Sequence, residues 1–126
     1  SPAIGKTDLR IRFSVPRSSL TDNTAHAILR IIRELATNAV RHGRATTIWI
    51  AGSIEGDTMM FSVRDNGIGF NPHDAPGVLQ GHFGLQGIRE RVASFEGSMT
   101  VESKTGHGAK VTISIEAARD EDKEKI

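Results

Sequence analysis

Asp65-Asn66-Gly67-Ile68-Gly69-Phe70 follows directly on the apolar run Met59, Met60, Phe61, Ser62, Val63, Arg64. On a strand alternate side chains share a face, so Phe61, Val63 and Asp65 are expected to point the same way. The carboxylate then emerges at the end of a strand, on its apolar side. Two glycines follow and let the chain turn where a ligand can approach the backbone. A carboxylate in that position is poised to accept a hydrogen bond from a ligand, such as an exocyclic amine. Taken alone, the stretch is equally well an ordinary strand-to-turn motif, where Asp and Gly occur for local reasons.

Outward from this point the chain alternates helix and strand signals. Leu9, Ile11, Phe13 and Val15 alternate with Arg10, Arg12 and Ser14, which predicts a strand ending at Pro16. Ser18 to Asn23 is rich in helix-capping residues. Ala25, Ile28, Leu29, Ile32, Leu35, Ala36, Ala39 and Val40 then recur at helical spacing, and Gly43 reads as the C-terminal stop. Thr46–Ile54 and Thr58–Asp65 predict two strands joined through Glu55-Gly56-Asp57. From Asn66 to Phe83 there is no period, and a loop of that length inside a small domain is usually functional. Leu85, Ile88, Val92 and Phe95 mark a second helix stopping at Gly97. Met99–Ser103 and Ala109–Glu116 predict a last hairpin across Lys104–Gly108, and the charged tail from Ala117 is expected to fray.

Composition limits the function classes. The 126 residues suit one domain with one core, and 37% hydrophobic with 25% charged residues is an ordinary water-exposed profile. Sixteen basic and fifteen acidic residues give a net charge of +1. No global basic field therefore points to nucleic acid. Without cysteine there are no disulfides or thiolate metal sites. No apolar run approaches the ~20 residues of a membrane span. Many of the thirteen glycines fall between Gly67 and Gly108, which suggests a loop-rich functional face in the second half.

Two further constellations carry chemistry. Glu34, Asn38 and His42 fall at i, i+4 and i+8 and form one polar file along the flank of the apolar stripe. A carboxylate, a carboxamide and an imidazole in such a file can hold a hydrated divalent cation and a phosphate. Mg²⁺ keeps several waters and takes few protein oxygens, so one Asn oxygen can suffice. The same file also reads as a solvated helix face, with Glu34 paired to a neighbouring Arg and His42 pairing with the helix dipole. Arg41 alone reads as a solvated charge. Gly81-His82-Phe83-Gly84-Leu85-Gln86-Gly87-Ile88 places glycines on the loop side of a helix N-terminus, where free N–H groups favour a polyphosphate. It equally reads as a flexible helix entry. It fits neither the phosphate-loop pattern nor the dinucleotide fingerprint.

In this order and spacing the motifs resemble the ATP-binding domain of the GHKL superfamily of gyrase, Hsp90, histidine kinase and MutL-type ATPases. Glu34-x-x-x-Asn38-Ala39-x-x-His42 resembles its N box, Asp65-x-Gly67-x-Gly69 its first glycine box and Gly84-x-x-Gly87 its second. Gly-His-Phe-Gly-Leu-Gln-Gly-Ile-Arg-Glu-Arg is similar to the nitrate-sensor type of bacterial sensor histidine kinase. The resemblance implies an α/β two-layer sandwich over residues 1–116, a mixed sheet of about five strands with helices on one face. Residues 117–126 form the tail.

The resemblance also implies roles. Asp65 accepts from the adenine amine, with Gly67 and Gly69 letting the base sit against the backbone. Asn38 ligates Mg²⁺, and Glu34 acts catalytically on water or at the metal. Arg41 and His42 approach the phosphates, and Gly84, Leu85 and Gly87 wrap the nucleotide from the second helix. The loop between is an ATP lid. The implied partners are a separate dimerisation and phosphoacceptor domain and, indirectly, a response regulator. The implied setting is the cytoplasmic part of a homodimeric inner-membrane kinase. The chain itself reads as a fragment without the phosphoacceptor helix, since no histidine sits in such a pattern, and the fragment is expected to be monomeric. An anti-sigma-factor-type serine kinase and a non-catalytic nucleotide-binding module are the other readings. One departure stands out: the family has Thr where this chain has Ala109. Ala109 shares the inward face with Val111, Ile113 and Ile115, so Thr112 cannot replace it.

Overall fold

The computed structural model describes residues 7–15, 22–69 and 85–116. The elements run β1 (Asp8–Ser14), α1 (Asp22–Arg41), β2 (Thr47–Glu55), β3 (Thr58–Asp65), α2 (Leu85–Ser94), β4 (Ser98–Ser103) and β5 (Ala109–Glu116). The five strands form one sheet in the order β1-β2-β3-β5-β4. β1 pairs parallel to β2, with α1 in the connection, as a parallel pair requires a crossover. The other pairings are antiparallel. The mixed five-stranded α/β sandwich is the fold expected from the motifs.

Alternation along each strand sets the two faces. Ile48, Ile50, Met59, Phe61, Val63, Val111, Ile113 and Ile115 turn inward and are buried. From the helix layer they meet Ile28, Ile31, Ile32, Leu35, Ala36 and Ala39 of α1 and Leu85, Ile88 and Val92 of α2. Burying side chains of this size contributes ~1.5–3 kcal/mol each. No polar or charged residue is buried among the described residues. On the outer face the Arg64 guanidinium lies 4.3 Å from the ring centroid of Trp49, its cross-strand partner.

The apolar stripe of α1 is rotated from its expected position. Leu29 is 64% exposed, whereas Ile31 is buried. Ile31 lies on the flank carrying Glu34, and α2 reaches that flank through Arg91, so the buried stripe leans towards the second helix. Among the described residues, β1 is the least covered strand. Leu9, Ile11 and Phe13 lie in register with inward-facing Ile48, Ile50 and Gly52, yet Ile11 is 64% exposed.

Neither helix ends as its glycine suggested. The left-handed residue after α1 is Arg44 (φ 55°) and that after α2 is Glu96 (φ 57°), so Gly43 and Gly97 are not the left-handed stops. They are glycines for lack of room. A Cβ at Gly43 would lie 2.8 Å from the Ala39 carbonyl oxygen, and one at Gly97 would collide with the Ile115 side chain. The Gly56-Asp57 turn joins β2 to β3 as expected, with Gly56 at φ 61°.

Candidate functional site

The end of β3 places Asp65 beside two backbone donors. Its Oδ1 accepts the Gly67 N–H at 2.7 Å, and the Ala109 N–H on the paired β5 also donates to the carboxylate. Burial nevertheless dominates and pushes the carboxyl above the usual Asp value of 3.8. The following loop is held by backbone packing. Ile68 N–H donates to the Gly43 carbonyl at 2.9 Å, and Gly106 N–H to the Ile68 carbonyl at 2.6 Å. A Cβ on Gly67 would strike the Gly43 carbonyl, and one on Gly69 would strike Lys104 and Gly108 backbone. The glycines expected to admit a base thus also allow three backbone segments to meet at one point.

Asn66 is a residue whose importance sequence reasoning missed. Its Oδ1 accepts the N–H groups of both Thr46 and Thr47 at 2.9 Å, and its Nδ2 donates to Thr46 Oγ1 at 2.9 Å. The side chain fastens the carboxylate loop to the start of β2. An Asx residue beside glycines signals a turn, and only the fold reveals a partner twenty residues away.

These elements enclose a narrow slot. Its walls are Leu35, Asn38, Ala39, His42 and Gly43 from α1 and its end, Asp65, Ile68 and Gly69 from the loop, Leu85 from α2, and Ala109 and Val111 from β5. The walls are mostly apolar, with the Asp65 carboxylate, the Asn38 carboxamide and the His42 imidazole among them. Such a lining suits a flat heterocycle that offers one amine. Ile68, 55% exposed, adds a large apolar side chain to the lining.

An open, polar groove adjoins the slot along α1, lined by Arg30, Arg33, Glu34, Thr37, Asn38, Arg41 and His42. Asn38 and His42 line both cavities, so they stand where one passes into the other. Three arginines give the groove the charge that a polyphosphate needs. Among the described residues no group of three or more His, Cys, Asp or Glu can hold a metal. A divalent cation here would draw most of its ligands from phosphates and water, a pattern that suits Mg²⁺ and a single Asn38 amide oxygen.

The structure therefore brings together Asp65, Gly69, Asn38, His42 and Leu85 in the slot and Arg41 and Glu34 in the groove. Gly67 braces the loop rather than lining the slot. Gly87 sits in the first turn of α2, where a Cβ would meet nothing within 4 Å. Gly84 and the expected lid to Phe83 lie outside the described residues, apart from Asn66–Gly69. Glu34 differs most from expectation. Both of its oxygens are bonded to Arg91 of α2, Oε1 to Nη1 at 3.0 Å and Oε2 to Nη2 at 2.5 Å. Arg30 Nε adds a longer contact at 3.4 Å. Hydrogen bonding from Arg91 holds the Glu34 carboxyl below its usual value.

With an apolar slot, a half-buried carboxylate and a cationic groove on one helix–sheet edge, the sequence matches the histidine kinase-, DNA gyrase B- and HSP90-like ATPases over residues 23–119. The chain belongs to that family. It is 35% identical over 89 residues to the signal transduction histidine-protein kinase/phosphatase DegS of Bacillus subtilis, covering 71% of this chain and 23% of the relative. It is also 35% identical over 97 residues to the nitrate/nitrite sensor protein NarQ of Escherichia coli, covering 75% and 16%. The fold matches the blue-light activated histidine kinase of Erythrobacter litoralis EL346 with a TM-score of 0.77 at 23% identity, over 93% of this chain and 37% of that one. The chain spans less than a quarter of the length of these two curated relatives. Their names bear out the expected likeness to sensor histidine kinases.

Proposed function

We propose that this chain binds Mg·ATP and presents the γ-phosphate to a histidine on a separate dimerisation domain, for relay to a response regulator. One observation carries the reading: the apolar slot and the cationic groove share Asn38 and His42. A nucleotide laid across that junction puts its base against Asp65 and its phosphates along the arginines.

Each residue then has a task. Asp65 accepts from the adenine amine, while Gly67 and Gly69 keep its loop close to the base. Asn38 offers an amide oxygen to Mg²⁺, which shields charge on the phosphate oxygens when bound. Arg41 and His42 face the phosphates, and the first turn of α2, with Leu85 and Gly87, closes over them. Positioning and charge neutralisation supply most of the catalysis in phosphoryl transfer, so a site without a nucleophile of its own is adequate. The parent is proposed to be a homodimeric membrane kinase with this domain on its cytoplasmic side. Among the described residues, no helix is long and apolar enough to cross a membrane.

Labelled ATP tests the reading. The chain alone should bind Mg·ATP by titration calorimetry and yield no phosphohistidine. Adding the parent's dimerisation domain should produce acid-labile phosphohistidine on that domain. Absence of nucleotide binding, or acid-stable phosphoserine as the product, would overturn it.

A further inference from the structure

Glu34 is placed badly for a base and well for a brace. It does not line the slot, and both carboxylate oxygens are taken by the fork of the Arg91 guanidinium. A general base works best with a pKa near the working pH, and a carboxylate clamped by a guanidinium is a weaker proton acceptor. Here the facing cations, Arg91 of α2 and Arg30 of α1, both lower the carboxyl's pKa, against a smaller opposing effect of burial.

The pair joins residues 57 positions apart and is a direct polar tie between the two helices. Arg91 also turns back on its own helix, its Nε lying 3.4 Å from the carbonyl oxygen of Gly87. One side chain thus links α1 to the first turn of α2. That turn contains a glycine, which weakens a helix, and it carries Leu85, the α2 residue in the slot wall. One turn along α1 from Glu34 stands Asn38, on the opposite wall. The pair therefore ties together two helices that each contribute to the slot wall.

We propose that Glu34 and Arg91 form a strut that sets the first turn of α2 against α1, so that Glu34 is a positioning residue. The role in nucleotide binding rests on the Mg·ATP reading above. The bidentate geometry assigns the strut to the fork of arginine, which lysine cannot reproduce.

The test uses the whole chain with Glu34→Gln, Arg91→Gln, Arg91→Lys, the double Gln variant and the exchanged pair Glu34→Arg with Arg91→Glu. Two quantities are read: amide exchange of residues 85–94 and affinity for Mg·ATP. Each Gln variant should speed exchange in α2 while leaving the sheet amides protected. Each should weaken Mg·ATP binding by about three- to tenfold, the scale of one charge-assisted pair. The double Gln variant should be no worse than either single, Arg91→Lys should resemble Arg91→Gln, and the exchanged pair should regain part of the loss. Wild-type exchange and affinity in Glu34→Gln would overturn the strut, as would multiplicative losses in the double variant. If the unaltered chain binds no nucleotide, the Mg·ATP reading falls while α2 exchange still decides whether the strut exists.

Discussion

The Asn66 side chain is bonded to Thr46 at both ends of its carboxamide: Oδ1 accepts the Thr46 backbone N–H and Nδ2 donates to Thr46 Oγ1, each at 2.9 Å. The same Oδ1 takes the Thr47 N–H, and Asn66 N–H returns a bond to the Thr47 carbonyl at 3.3 Å. The loop bearing the Asp65 carboxylate is thereby fixed to the adjacent strand before any ligand arrives.

Asn66→Ala should lower stability by about 1–2 kcal/mol, because two strand-start N–H groups lose their acceptor and only water replaces it. Urea unfolding would show this as a reduced midpoint with unchanged slope. Asn66→Asp should be milder, since a carboxylate keeps the acceptor and loses the donor to Thr46.

Asp65→Asn should separate binding from stability. Nucleotide affinity should fall at least tenfold as a charged acceptor becomes a weaker one, about 1.4 kcal/mol or more. The unliganded chain should become no less stable at neutral pH. The sign follows from burial, which raises the folded carboxyl above 3.8. The folded chain then holds this proton more tightly than the unfolded one, so Asp65 costs stability progressively as pH rises from below 3.8 through the folded value. Thermal melts of the two proteins between pH 3 and pH 7 should diverge in favour of the variant as pH rises.

Asn38→Ala should remove most of the magnesium dependence of ATP affinity while sparing adenosine. Titrations with and without Mg²⁺ would measure the difference. Equal magnesium enhancement in both proteins would place the metal elsewhere.

Ala109→Thr should strengthen ATP binding about fivefold, the worth of one ~1 kcal/mol hydrogen bond. Ala109 lines the slot and is paired in register with Asp65, so a hydroxyl there stands beside the carboxylate. Calorimetry with adenosine would show whether the gain lies at the base end.

Much of this site was legible along the chain. Glu34, Asn38 and His42 share a flank because helical geometry leaves no choice, and Asp65 follows Phe61 and Val63 inward because strand geometry alternates. What escaped depended on contacts between distant segments. Arg91 meets Glu34 across 57 positions, and nothing local distinguishes it from the neighbouring Arg89. Leu29 and Ile31 exchange exposure, the buried stripe leaning to the flank that Arg91 reaches. Gly43 and Gly97 were read by the commonest reason for a glycine after a helix. Their neighbours Arg44 and Glu96 take the left-handed turn instead, and tight packing excludes a side chain at the glycines.

The stacking of Arg64 on Trp49 places the chain's single tryptophan on the side of the sheet away from the slot. Its emission should consequently report the integrity of the β2–β3 pair and stay blind to occupancy of the site. Folding and binding can then be followed in one cuvette as independent optical signals, with a fluorescent nucleotide reporting the second.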